Sequence, residues 1–363
     1  MILKDCQRAA LEHIRQHSAA RREVAQETIA HLLEMSNIAQ EDFPQALSSI
    51  QSHARVALHF HPDRLSQNLT SVADLLLTDG LYKNQFETFL SNGALSPDKG
   101  GYRDLWENGM FGEVYMTAHV TPSDRPKYGA LNLMLLPDGP SPRFGSCYFL
   151  LKPHVLPRCT FSSTGSQLNP PEKGTLDTLD GVLAALLTES FYREFALGVH
   201  NIRTRQLIDH LRDNLTKPFQ DPSTQAAARN LDYFIEVQVH GPIWLADDVE
   251  ILVADPSFKR TKTGMLLEKI CEGYDIELFW HCGFVLNVEE VPLDFRGPKM
   301  PSLARRVASG TFLDVEMIGE AAADLKRHPE RWRDRGPYEY VLQELKRLWH
   351  VLVKFGKPNN TQK

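Results

Sequence analysis

Much that would assign this chain to a class at first reading is missing. No stretch of its 363 residues stays apolar for the length of a bilayer span, so a membrane protein is not expected. The opening Met1-Ile2-Leu3-Lys4-Asp5-Cys6 lacks the charged and apolar zones of a secretory leader. The five cysteines (Cys6, Cys147, Cys159, Cys271, Cys282) are scattered and none has CxxC spacing. That excludes a disulfide framework and points to reduced thiols in a cytoplasmic setting. Delivery as an effector by some other export route stays compatible with this. There is neither GxGxxG nor GxxxxGK[ST], so a nucleotide would have to be held without a glycine-rich phosphate loop. The formal net charge is -6 and basic residues are spread along the chain. Without a basic stripe, general nucleic-acid binding is not expected. Internal repeats and low-complexity segments are absent as well.

What is present suits a globular protein with a real core: 42% hydrophobic and 24% charged residues. Residues 1–50 read as a helical segment, with Leu11, Ile14, Ile29, Leu32 and Leu33 at helical spacing. Val56 to Phe60 alternate as a short strand that must end at Pro62. Strong turn signals follow at Ser91–Leu95 and Pro97–Gly101, with Tyr102, Trp106 and Phe111 nearby as pocket or packing aromatics. Strands are expected within Arg125–Leu133, Arg143–Leu151 and Arg158–Ser163. Helices are expected over 176–215, further strands at Val249–Val253 and Ile276–Trp280, and helix again from Pro301 onward. Several short strands at close spacing predict an antiparallel or mixed sheet rather than a doubly wound one.

The stretch with the most chemistry is Leu231 to Pro242. It reads as a strand, with Tyr233, Ile235, Val237 and Val239 on one face and Phe234, Glu236, Gln238 and His240 on the other. An acid, an amide and an imidazole in a row suit either a solvated face or the wall of a cleft. Thr160 and Ser162 share one face of their own strand and can donate hydroxyl hydrogen bonds. After the first strand, His59 and His61 form a same-face HxH pair of metal-binding type. Arg64, just beyond, can grip a phosphate with its planar fork.

The whole chain resembles a large microbial domain family with no assigned function. The residues that carry this are His61 to Arg64, Gln85-Phe86-Glu87 with Ser91-Asn92-Gly93, and Arg125-Pro126 with Tyr128-Gly129-Ala130-Leu131-Asn132. Arg143-Phe144-Gly145-Ser146, Glu236 to Pro242, Asp294-Phe295-Arg296-Gly297-Pro298 and Leu348 to Leu352 add to it. The central motifs also resemble toxin-type ADP-ribosyltransferases. Those share an Arg-Pro-x-Tyr-Gly segment, here Arg125 to Gly129; a strand of Arg-x-Thr-x-Thr type, here Arg158 to Ser162; and a Glu-x-Gln strand followed by glycine, here Glu236 to Gly241. Two departures stand out. Thr164-Gly165-Ser166 replaces the usual Gly-Asp-Ser, and the acid Glu236 comes first in its pair, with Gln238 second.

The resemblance implies an α+β fold whose split, mostly antiparallel central sheet occupies residues 51–298, between helical flanks at 1–50 and 299–363. It implies NAD as substrate, an acceptor of unknown identity, and no metal. In such a reaction, ADP-ribosyl transfer or NAD glycohydrolysis, Glu236 would stabilise an oxocarbenium-like state, Gln238 would orient the acceptor or the nicotinamide amide, and His240 would do likewise or act as a base. Arg64 or Arg125 would hold the pyrophosphate, Tyr128 would stack, and Thr160 and Ser162 would hold the cofactor's position. Two other readings stay open. One is a metal-dependent hydrolase using His59 and His61, completed by His240 or Asp255. The other is a non-catalytic nucleotide-binding or interaction module.

Overall fold

The computed structural model describes residues 2–90 and 97–359. The turn expected at Ser91–Leu95 lies outside the described residues. Helices α1 (Asp5–Ala19), α2 (Arg22–Met35) and α3 (Asp42–His53) open the chain, as their apolar spacing predicts. Ile29, Leu32 and Leu33 of α2 and Ala46 and Ile50 of α3 form the stripes turned inward. Next come β1 (Val56–Phe60), α4 (Val72–Asp79), α5 (Gln85–Thr88) and α6 (Tyr102–Phe111). Ser71 caps α4 by accepting the Asp74 amide, and Gly80, in the left-handed region, closes it.

Strands β2 (Lys127–Leu131), β3 (Cys147–Leu151), β4 (Cys159–Ser162) and β5 (Lys173–Thr175) lead to α7 (Asp180–Arg193). A small hairpin, β6 (Phe195–Ala196) with β7 (Val199–His200), precedes α8 (Thr204–Asp213). Then follow β8 (Glu236–Val239), α9 (Leu245–Asp248), β9 (Val249–Ala254), α10 (Lys262–Tyr274) and β10 (Glu277–Trp280). The C-terminal part holds the pair β11 (Leu286–Asn287) and β12 (Phe312–Leu313), with α11 (Met300–Val307) between them in sequence. It ends in α12 (Val315–Arg327) and α13 (Tyr338–Phe355). No described helix is long and apolar enough to cross a membrane.

The large sheet has the order β10-β9-β3-β1-β2-β8-β4-β5. Every junction is antiparallel except β9 with β10, which α10 connects as a crossover. The mixed α+β class with a mostly antiparallel sheet and helical flanks is therefore as expected. One continuous apolar core runs from α2 and α3 under the sheet to α13. A smaller cluster of Ala57, Tyr148, Leu150, Ile251 and Val253 covers the opposite sheet face.

Two features of the sheet position everything that follows. First, β1 pairs with β3 over four residues and β2 with β8 over four, but β1 and β2 pair only at Val56–Leu131 and Ala57–Ala130. Beyond that point the ladder stops and the two strands fork. Gly129 sits at the fork because a Cβ there would lie 2.5 Å from the Ala57 carbonyl oxygen. Second, the expected strand over Leu231–Pro242 is shorter than its pattern, running only from Glu236 to Val239. Asn230 explains this. Its side chain donates to the carbonyls of Pro140, Leu197 and Tyr233 and accepts the Tyr233 amide, holding 230–233 in a loop. Phe234, expected beside Glu236, packs instead edge-on against Phe144.

Candidate active site

At the fork lies a cavity of about 600 Å³, within the size range of small-molecule sites. The end of β1 (His59, Phe60), residues 127–129 of β2 and Glu236 of β8 form its floor. Arg103, Trp106 and Glu107 of α6 form one wall, at the spacing that puts them on one helix face. Gln343, Lys346 and Arg347 of α13 form another, again on one face. The apolar stripe of α13, Val341, Leu345, Leu348 and Leu352, is buried in the core and fixes which face the cavity receives.

Alternation along β8 and β4, with their antiparallel register, brings Glu236 beside Ser162 and Gln238 beside Thr160. The result is a buried chain of hydrogen bonds. Gln238 Nε2 donates to Glu236 Oε1 at 2.9 Å, and Thr160 Oγ1 donates to Gln238 Oε1 at 2.8 Å. The Thr160 proton is thereby committed, so at 3.1 Å Thr160 must accept from His240 Nε2. That leaves His240 Nδ1 as acceptor for the Tyr115 hydroxyl at 2.6 Å. Burial holds the His240 pKa down at about 3, so the ring is neutral and this single direction is the consistent one. Every donor points along the chain Tyr115, His240, Thr160, Gln238 toward Glu236.

Glu236 also accepts the Ser166 amide at 3.0 Å. Ser166 belongs to Thr164-Gly165-Ser166, the segment that folds back after β4, where Ser162 Oγ donates to the Thr164 carbonyl at 2.8 Å. Burial raises the Glu236 pKa, while the bonds from Ser166 and Gln238 and the charge of Arg103 oppose it. Of the chemistry expected on β8, only Glu236 faces the cavity. Gln238 and His240 are fully buried behind it, and Thr160 and Ser162 complete that backing layer.

The two arginines singled out for the pyrophosphate have different surroundings. Arg125 is buried in an ion-pair triad, 2.5 Å from Asp104 and 2.7 Å from Glu107, and stacks over Phe86. It is not part of the cavity lining. Arg64 is, held there by the turn after β1, in which the Val72 amide bonds the Arg64 carbonyl at 2.9 Å. Its buried Nε has no hydrogen-bond partner among the described residues. Tyr128 lines the cavity and donates to Glu107 at 3.0 Å. Burial lifts Glu107 to about 7, against the pull of Arg125 and Tyr128.

Beside Arg64 stands one buried carboxyl, Asp63, whose charge favours the guanidinium, and the other charged groups at this end are cations. Arg143 and Lys346 line the same end, with Arg296 nearby, and burial plus these neighbours lower the Lys346 pKa to about 7. His59 has both ring nitrogens engaged, Nδ1 donating to the Gly145 carbonyl and Nε2 accepting the Ser141 amide. His61 packs edge-on against Trp349. Among the described residues no three His, Cys, Asp or Glu side chains form a metal-sized group. Glu107, Arg103, Lys346 and Arg347 were not among the residues singled out from the sequence. Trp106 was, as an aromatic for either a pocket or packing, and it lines the cavity.

A family model described as protein of unknown function (DUF3626) matches residues 55–355. No curated protein matches the chain.

Proposed function

The chain belongs to this family of proteins of unknown function, so its reaction must be read from its own residues, and we propose that it cleaves the nicotinamide–ribose bond of a nicotinamide dinucleotide and transfers the ADP-ribosyl group. One observation carries the reading: a single cavity has a braced carboxylate, Glu236, on its floor and, elsewhere in its lining, the Arg64 guanidinium, whose buried Nε has no hydrogen-bond partner among the described residues. A dinucleotide makes complementary demands, with a ribosyl centre that turns cationic as its bond breaks and a diphosphate that is anionic throughout.

As nicotinamide leaves with the bonding pair, positive charge grows on the ribose. Glu236 stabilises that charge more than it stabilises the ground state. The hydrogen-bond chain behind it keeps the carboxylate from reorienting during the step, so the stabilisation is preorganised. Arg64 grips the diphosphate by charge-assisted bonds. Trp106 and Tyr128 offer ring faces beside the nicotinamide end. Water or another nucleophile then takes the ribosyl carbon and gives up its proton. Glu107, raised to about 7, is a cavity carboxyl suited to receive it. With Glu236 as the reacting carboxylate, Gln238 acts through it, and the order of acid and amide on β8 is accommodated.

The test is nicotinamide release from NAD, with cell lysate supplied as acceptor, for wild type and Glu236→Gln. Release that the variant loses while staying folded supports the reading. Dinucleotide binding with no release by wild type would make the cavity a binding module, and absence of binding would overturn the proposal.

A further inference from the structure

The cations at the phosphate end outnumber what a plain dinucleotide needs. Arg64, Arg143, Lys346 and Arg347 line this part of the cavity, and Arg296 stands close behind. Arg143 and Arg296 share one carboxylate, Asp232, which is half exposed. Among the described residues no carboxylate lies within ion-pair distance of Arg64, Lys346 or Arg347. Among the described residues the buried Nε atoms of Arg64, Arg143 and Arg296 have no hydrogen-bond partner. Gathering these cations with so little counter-charge, Asp63 beside Arg64 and one Asp232 shared by Arg143 and Arg296, is unfavourable, and a bound anion offsets that cost.

A dinucleotide's bridging diphosphate carries a pair of negative charges, and Arg64 with the Arg143–Arg296 pair meets that demand. Lys346 and Arg347 are then left over, adjacent on the cavity face of α13. A phosphomonoester adds about −1.5 to −2 charge and three acceptor oxygens. It suits an ammonium beside a guanidinium.

Resting on the dinucleotide reading above, we infer that the substrate is phosphorylated beyond its diphosphate, NADP rather than NAD, with Lys346 and Arg347 receiving the additional phosphate.

Titration calorimetry with NADP and NAD in one buffer, on the full chain, tests this. Wild type binds NADP at least about tenfold more tightly than NAD, as one or two charge-assisted bonds imply. The double variant Lys346→Met, Arg347→Met loses that margin and keeps its NAD affinity to within about threefold. Ligand-free, the variant melts no lower than wild type, because the charges it lacks have no counter-ion in the free protein. Equal wild-type affinity for the two dinucleotides overturns the inference and leaves the dinucleotide reading standing. A variant that loses NAD and NADP alike also overturns it, by assigning these cations to the diphosphate. If wild type binds neither, the dinucleotide reading itself falls, and this inference with it.

Discussion

Gln238 Nε2 donates to Glu236 Oε1 at 2.9 Å, so the amide that stands second on the strand holds the acid that stands first. Only the acid reaches the cavity. If Glu236 carries the reaction, Glu236→Gln lowers the rate of nicotinamide release by about 10²–10³-fold, the range for removing one preorganised electrostatic partner. Dinucleotide affinity and the melting temperature change little. A chromatographic assay of nicotinamide beside a circular dichroism melt reads both, and undiminished release by a folded variant would remove Glu236 from the mechanism.

Thr160→Val keeps the shape of the side chain and deletes the hydroxyl that joins His240 to Gln238. Two buried groups lose a partner, and the expected cost is about 1–3 kcal/mol in urea denaturation. Nicotinamide release falls as well, by less than in Glu236→Gln, because Ser166 and Gln238 still contact the carboxylate. A variant as stable as wild type would mean that the hydrogen-bond chain is dispensable.

The two arginines should fail in different ways. Arg125→Met strands Asp104 and Glu107 as buried carboxyls without their cation and destabilises the fold by about 3–5 kcal/mol. Arg64→Gln leaves the melting temperature close to wild type and weakens dinucleotide binding by about 10–100-fold. Thermal melts and calorimetry on the pair would show the reverse pattern if Arg125 were the phosphate ligand.

Ligand binding should be proton-linked through Lys346. Its pKa is drawn down to about 7, first by burial and then by Arg143, Arg103, Arg64 and Arg296. A bound phosphate raises it toward the ordinary lysine value of about 10.4. Binding therefore takes up a proton above neutrality. Kd stays level below pH ~7 and rises above it, by up to about tenfold per pH unit. The ligand-free fold shows the opposite trend, because between pH ~7 and ~10.4 the unfolded chain holds the extra proton and stability rises with pH. Calorimetry from about pH 6 to 9, roughly one unit below the titration to two above it, should show the slope in wild type and lose it in Lys346→Met.

Strand parity was legible: Glu236, Gln238, Thr160 and Ser162 converge because alternation and antiparallel register leave them nowhere else to point. The end of β1 ahead of Pro62 and the amphipathic opening helices were equally readable. The length of β8 was not, because its pattern continues backward into residues that Asn230 holds in a loop through partners far away in sequence. Arg103 and Glu107 stand four apart on α6 and were not singled out, yet both face the cavity, and Glu107 binds Arg125 and Tyr128. Lys346 and Arg347 carried no local signal. Their significance comes from Arg64 and Arg143, which lie far upstream and meet them only when α13 docks.

That docking gives the site a place in the life of the chain. The floor and the first wall are encoded early, but the cationic wall waits for residues 343–347. A polypeptide emerging from the ribosome folds its leading part first. Until α13 has been made and has sunk Leu345, Leu348 and Leu352 into the core, the pocket holds Glu236 without Lys346 and Arg347. The cavity thus gains its last wall only when a helix encoded after all its other parts has been made and has docked.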